Sequence, residues 1–272
     1  MQAKLERLQS ILRAGGRTLV AYSGGVDSVL LATVAREVLG DQMQAVIADS
    51  PSLPRRELAA AVELGERFGF PVRVIATAEM ANPNYASNPP NRCYFCKSEL
   101  FLELTALAKV EHWQTIVYGE NASDVGDYRP GAAAAAEFAV RAPLKEAGLT
   151  KAEIRQLSAR LGLPTAEKPQ LACLASRIPH GEPVTAEALA MIEAAENVLR
   201  DAGFYEVRVR HHGALARIEV GADEVERFFD RELRATVTAA LKRIGYAYVT
   251  VDLQGYRRGS GQEILPKGAA AK

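Results

Sequence analysis

Six consecutive residues, Ser23-Gly24-Gly25-Val26-Asp27-Ser28, combine hydroxyls, glycines and a carboxylate in a pattern suited to holding an anion. An apolar run from Thr18 to Tyr22 precedes them and an apolar-periodic segment begins at Val29, so a buried strand feeds a glycine turn and then a helix. The two glycines let the backbone come close to a ligand. Ser23, Ser28 and the N–H groups of the helix's first turn offer donors to phosphate. The segment is neither a Walker loop, which needs Gly-Lys before its Ser/Thr, nor the dinucleotide fingerprint with its three spaced glycines. A glycine turn with no ligand is the plain alternative.

Three further groups could do chemistry. Cys93 and Cys96 are spaced as CxxC, which suits half a zinc site, a dithiol redox pair or two ligands of an iron–sulfur cluster. Only Cys173 remains to join them, and a closed zinc site would need a fourth ligand from His112, His180, His211 or His212. Three thiolates on a cubane cluster leave one iron open to an exogenous ligand. Cys173 alone reads as a buried, inert thiol, except that its loop also carries Ser176 and Arg177. Asn121, Asp124, Asp127 and Arg129 follow a predicted strand, where carboxylates could hold Mg²⁺ and the arginine a phosphate or carboxylate. Arg208 and Arg210 are two apart in a strand, so both face one side and call for an anion, with Ser176, Arg177 and Glu196 as candidates to lie near. Solvated charges are the plain reading of both groups.

The elements that must position these residues follow from periodicity. Leu5, Leu8, Ile11 and Leu12 share one face of a first helix ending near Gly15-Gly16. Strands are predicted at 18–22, 44–49, 71–76 and 115–118, with helices at 29–39, 55–68, 97–108 and 151–161. Strands separated by helices imply a parallel sheet, and open sheets of this kind bind ligands at the C-terminal edge of their strands. Residues 81–92 are too rich in Pro and Asn for regular structure, 132–136 read as a short helix, and 142–144 as a short extended piece. Beyond the proline-rich stretch 164–183, Thr185 caps a helix stopped at Gly203, followed by strands at 204–210 and 217–220, a helix over 225–244 and a strand at 246–253. The expected organisation is an α/β domain over 1–180, a smaller α+β domain over 181–258 and a flexible tail, 259–272.

With 272 residues, nearly half of them apolar, the chain can bury a substantial core. Lys+Arg and Asp+Glu number 33 each, so no global basic field draws in nucleic acid, which is not an expected partner. Three cysteines form no disulfide framework, the first sixteen residues are charged and amphipathic, and no run reaches the ~20 apolar residues of a membrane helix. A cytoplasmic protein with no membrane partner is expected. The apolar strands of the second domain make a homo-oligomer the expected assembly.

The loop at 23–28 resembles the SGG-x-[DS]-S signature of the PP-loop ATP pyrophosphatase superfamily, whose fold is adenine nucleotide alpha hydrolase-like. The resemblance implies ATP cleavage between the α- and β-phosphates, with Ser23, Gly24, Gly25, Asp27 and Ser28 at the pyrophosphate and Asp27 toward Mg²⁺. Asp49 and Ser50, at the end of the second strand, match the position of a nucleoside contact, although an aspartate there also serves as a turn or helix cap. Together with RCYFCK, NASDVGDYRPG, CLASRIPHG and VRVRHHGALARIEV through YVTVDLQGYRRGS, the chain is similar over nearly its whole length to the LarE family of ATP-dependent sulfur transferases. That implies a pyridinium-3,5-biscarboxylate mononucleotide substrate, whose carboxylates are adenylylated and converted to thiocarboxylates for the nickel-pincer cofactor of lactate racemase.

Further roles come with the resemblance. Asp124, Asp127 and Arg129 go with the nucleotide, and Ser176, Glu196, Arg208 and Arg210 match the family's substrate-phosphate region. Cys173 matches the sulfur-bearing cysteine. Some family members sacrifice that sulfur, whereas those with a CxxC pair carry sulfide on a [4Fe-4S] cluster, here on Cys93, Cys96 and Cys173; the sulfur donor is unidentified. A tRNA thiolase of the same superfamily is the competing reading. The tail departs from the family, with Gly259-Ser260-Gly261-Gln262 where Gly-Ser-Met-Asn is frequent.

Overall fold

Thr18–Ala21 is apolar or hydroxylic at every position and buried at every position, which suits a strand covered on both faces. The computed structural model describes residues 1–124, 130–169 and 172–257. Its elements run α1 (Gln2–Gly15), β1 (Thr18–Ala21), α2 (Val26–Leu39), β2 (Met43–Asp49), α3 (Arg55–Phe68), β3 (Val72–Ala76), α4 (Pro83–Ala86), α5 (Arg92–Glu111) and β4 (Thr115–Tyr118). They continue with α6 (Pro130–Glu137), α7 (Pro143–Glu146), α8 (Lys151–Arg160), α9 (Ala186–Asp201), β5 (Val207–His212), β6 (Leu215–Val220), α10 (Arg231–Ile244) and β7 (Tyr248–Val251).

The first four strands form an all-parallel sheet in the order β3-β2-β1-β4, with Ala21 opposite Val46 on one side and Tyr118 on the other. Alternate side chains of β1 and β2 enter two cores. Val20, Ala45 and Ile47 pack with Leu8, Leu12, Leu30 and Leu144, while Leu19, Ala21 and Val46 pack with Phe101, Leu104 and Ala134. Because β2 and β3 lie on one side of β1 and β4 on the other, the strand order reverses between β1 and β4. The C-terminal ends of these two strands mark the switch point of the sheet, the usual ligand position in open α/β folds. The next helix on this edge, α8, is started by a capping box: Thr150 Oγ1 accepts from Glu153 N–H at 3.3 Å, and Glu153 accepts from Thr150 N–H at 2.9 Å.

The expected α/β domain with a smaller α+β domain is what the chain forms. The described residues fall into two compact units, one within 1–79 and 91–171, the other within 80–90 and 172–272. The expected division fell at 180/181, but residues 80–90 join the second unit through long-range bonds. Asn88 donates to Pro179 O at 2.8 Å, and the Val184 N–H reaches Ala86 O at 2.8 Å. In that unit β5 and β6 are an antiparallel hairpin, β7 lies parallel to β6, and α9 and α10 contribute Leu199, Val237 and Leu241 to a core with Val209, Ile218 and Tyr246.

Three local expectations differ from the structure. Residues 81–92, expected to lack regular structure, hold the short helix α4, started by Asn82, whose side chain accepts from the Asn84 N–H, with Pro83 in its first turn. α5 begins at Arg92 instead of about 97, which puts both cysteines of the CxxC pair in its first turns. Proline restricts the residue before it and not those after, so Pro89-Pro90 does not delay the helix. The segment after Ala142 is the short helix α7, with Pro143 at its favoured first position, and it is Arg141 that extends along Val117.

Candidate functional site

The loop after β1 is a preformed cradle. Gly24 takes φ +69°, and a Cβ there would stand 2.8 Å from the Ala61 Cβ of α3. Ser28, in the first turn of α2, is buried; its Oγ accepts from Ser23 N–H at 3.2 Å, donates to Gly25 O at 3.1 Å and lies 3.1 Å from Ser23 Oγ. Ser23 itself is exposed, so the turn is rigid at its base and open at its lip. A Gly24→Ala variant therefore meets both a left-handed backbone and a short contact. Urea denaturation is expected to show a loss of about 1–3 kcal/mol.

The loop after β4 closes on this cradle from the other side of the reversal point. A Cβ on Gly119 would lie 3.0 Å from Ser28 N and 3.2 Å from Asp27 Cβ, a tighter fit than a side chain ordinarily makes, so the two loops approach most closely with glycine here. Asn121, buried, donates from Nδ2 to Asp27 Oδ1 at 3.2 Å, and Asp124 Oδ2 accepts from the Asn121 N–H at 3.1 Å. Asp124 thus shapes the same loop. Asp127 and Arg129, expected beside it, lie outside the described residues. Asp49 pairs with Arg55, whose Nη2 also donates to Ser50 O at 2.6 Å, and the buried Ser50 hydroxyl lies 2.8 Å from that of Ser52. Both residues stand at the C-terminal end of β2, the same sheet edge as the cradle.

Two lysines complete the cradle, and neither was marked by the sequence. Lys151, at the start of α8, places Nζ on Asp27 Oδ2. Lys168 places Nζ 2.7 Å from Glu57 Oε2 and 3.4 Å from Gly24 O. Each is more than a hundred residues from its loop partner, so no local spacing announces it. A shallow depression of about 390 Å³ opens at the opposite end of the strands, lined by Arg36, Asp41, Glu66 and Phe70, and contains none of these groups.

Cys93, exposed, and Cys96, half-buried, lie one turn apart near the start of α5 and so share a helix side. Cys173 belongs to the second unit and is half-buried. Among the described residues, no group of three or more Cys, His, Asp and Glu side chains is disposed to hold a metal ion.

The loop that carries Cys173 is held by a buried arginine, Arg177, a residue whose weight the sequence did not reveal. Its Nη1 donates to Ala172 O at 2.8 Å, to Cys173 O at 3.0 Å and to Ser176 Oγ at 3.0 Å. Its Nε and Nη2 donate to the two oxygens of Glu196 on α9, at 2.7 and 3.1 Å. Glu196 is fully buried and also accepts from Arg200 at 2.8 Å and from the Val209 N–H of β5 at 3.2 Å. Burial by itself pushes its carboxyl up; the charges of Arg177, Arg200 and Arg208 and the Arg177 hydrogen bond outweigh this and hold it below the ordinary range.

Arg210 donates to Ser176 O at 3.0 Å and to buried Glu219 at 2.7 Å, while Arg208 lies over the Tyr256 ring at 4.9 Å. Burial first, then the charge of Arg177, lowers the Arg208 guanidinium from its ordinary value. The structure thus brings Ser176, Glu196, Arg208 and Arg210 together around the Cys173 loop. The cluster is rich in cations, with Glu196 and Glu219 as its fully buried carboxylates, an arrangement that an added anion relieves.

No family model matches the chain. A relative of unassigned function from Synechocystis sp. is 43% identical over 267 residues, covering 98% of this chain and 100% of the relative. The pyridinium-3,5-bisthiocarboxylic acid mononucleotide synthase of Lactiplantibacillus plantarum is 34% identical over 272 residues, covering 100% of this chain and 98% of that protein. A glutamine-hydrolysing GMP synthase of Emericella nidulans is 32% identical over 77 residues, 28% of this chain and 14% of its own. Among the described residues no helix is long and apolar enough to cross a membrane. A full-length match of this identity, joined to an all-parallel sheet whose first loop is SGGVDS, shows that the chain belongs to the LarE family of sulfurtransferase enzymes.

Proposed function

We propose that this protein adenylylates the carboxylates of pyridinium-3,5-biscarboxylate mononucleotide with ATP and converts them to thiocarboxylates for a nickel-pincer cofactor. The observation that carries the reading is the cradle at 23–28, closed by Gly119 and Asn121 where the strand order reverses. A substrate carboxylate oxygen attacks the α-phosphorus of ATP and the bond to the β-phosphate breaks, so that pyrophosphate leaves on the Ser23, Gly24, Gly25 and Ser28 cradle. Sulfur at the sulfide level then attacks the acyl carbon, and the C–O bond to AMP breaks. A bare carboxylate has no comparable leaving group.

Asp27, with Asp124 and Asp127, is the carboxylate set for Mg²⁺, whose oxygen-ligand chemistry it suits. Asp49 and Ser50 would meet the nucleoside, and Arg129 a phosphate. Ser176, Arg208 and Arg210 would receive the phosphate of the mononucleotide. Glu196, whose oxygens are taken by arginines, would act by holding Arg177 and through it the Cys173 loop.

Cys93 and Cys96, two thiols on one helix side, suit two ligands of an iron–sulfur cluster, and Cys173 is the remaining thiol that would join them. When bound, such a cluster would supply an iron open to carry sulfide. The chain's own part is to hold the cysteines and to present the activated carbonyl. Cytoplasmic location and self-association go with this reading.

The test is an anaerobic preparation incubated with ATP, Mg²⁺ and the biscarboxylate mononucleotide. Substrate-dependent release of AMP and pyrophosphate is expected, with iron and acid-labile sulfide in the wild type and their loss in Cys93→Ala and Cys96→Ala. Pyrophosphate release without iron, and with Cys173 lighter by one H₂S, would replace the cluster by sacrifice of Cys173. Thiolation of tRNA in place of the mononucleotide would favour the competing superfamily activity.

A further inference from the structure

We infer that Lys151 and Lys168 are the cationic pyrophosphate ligands of the cradle, a proposal that rests on the ATP reading above and adds two side chains to it. The cradle proper offers hydroxyls, backbone N–H groups and one carboxylate, Asp27, which repels a polyanion. Pyrophosphate near neutral pH carries several negative charges, so hydrogen-bond donors alone leave it poorly compensated. The two ammonium groups meet the turn at different points, Lys151 on Asp27 in the first turn of α2, and Lys168 within reach of Gly24 O.

Lys151 is poorly explained as a stabilising surface residue. It occupies the first position of α8, where the helix's own partial positive charge disfavours a cation. The capping box of Thr150 and Glu153 already completes that helix start, and Glu153 has its own cation in Lys4, at 2.8 Å. The ammonium of Lys151 is instead directed to the loop, where it neutralises Asp27. Asp27 cannot keep that ammonium and a divalent cation on the same oxygen. Occupation of the carboxylate therefore releases Lys151 to the phosphate oxygens beside it. Lys168 makes the parallel exchange, from Glu57 of α3 to an oxygen near Gly24. Both lysines are held close by carboxylates that surrender them to a more highly charged partner, which presets the site without leaving a buried charge uncompensated.

The test is calorimetric titration of inorganic pyrophosphate with Mg²⁺, and separately of ATP with Mg²⁺, into the intact protein at two salt concentrations. Lys151→Gln and Lys168→Gln are each expected to weaken pyrophosphate binding by about tenfold or more and to reduce its salt dependence, with Lys4→Gln within about twofold of wild type. Lys151→Arg and Lys168→Arg keep the charge and the ion pairs, and are expected to retain most of the binding, which separates a charge effect from a folding defect. Glutamine variants that bind pyrophosphate like wild type would overturn the inference and leave the ATP reading intact. Arginine variants that lose binding as fully as the glutamine variants would also overturn it. A folded wild-type protein that binds neither ATP nor pyrophosphate would overturn the ATP reading itself, and the inference with it.

Discussion

Cys173→Ala is expected to separate activation from sulfur transfer. Pyrophosphate release from ATP in the presence of the biscarboxylate mononucleotide should remain within about threefold of wild type, while thiocarboxylate formation falls by at least about 100-fold. The reason is structural. Arg177 grips the Cys173 loop through backbone carbonyls and Ser176 Oγ, with no bond to the Cys173 sulfur among those it makes to this loop. Alanine preserves those bonds and removes only the thiol. The cradle at 23–28 lies in the other compact unit and keeps its own contacts. Mass spectrometry of the pyridinium product, beside a pyrophosphate assay on the same reaction, reads both halves. Thiocarboxylate formation at the wild-type rate would remove Cys173 from the mechanism. Comparison with Cys93→Ala extends the result: if sulfide is carried on a cluster, both variants lose the product, whereas a sacrificial Cys173 still gives one turnover in Cys93→Ala.

The largest stability effect is expected at Glu196. Replacing it by Gln leaves Arg177 buried with its main counter-charge gone, and removing one partner of a buried pair costs about 3–5 kcal/mol. The same change at exposed Glu187, on the same helix, is expected within about 0.5 kcal/mol of wild type. Urea unfolding followed in the second unit measures both. The Glu196 carboxyl is held below its unfolded value, so its stabilisation is present above about pH 4.5, the ordinary value, and is lost as the pH falls toward the folded value. Wild-type stability should therefore decline on acidification below that point, more steeply than in Glu196→Gln. Equal slopes would show that the buried pair does not set the acid limit. Because Arg177 holds the carbonyls at 172 and 173, the variant should also slow thiocarboxylate formation while sparing pyrophosphate release.

The parallel sheet, the glycine cradle and the cysteine spacing are all written in short stretches of the chain. Apolar runs alternating with helical periods require crossovers, and SGGVDS between a strand and a helix has few uses other than phosphate. Boundaries that depend on distant contacts are not written in such stretches. Residues 81–92 read as irregular from their Pro and Asn content, yet Asn88 and Ala86 bond to residues near 180 and carry the strip 80–90 into the second unit. The Pro-rich sequence predicts a start for α5 near 97, whereas the helix begins at Arg92, because proline constrains only what precedes it.

The chain order alone thus specifies the fold class and the glycine loop proposed to take phosphate, because strand, turn and helix signals are carried by neighbouring residues. It does not specify which cations serve that loop, nor what holds Cys173. Lys151 reaches Asp27 across 124 positions and Lys168 reaches Gly24 across 144. Such pairings arise from the reversal of strand order and from helix packing, which no local spacing encodes. Arg177 follows Cys173 by four residues, yet its importance comes from burial against Glu196, nineteen residues further on. Charge is legible in a sequence; burial, which decides what that charge must be paired with, comes only with the folded chain.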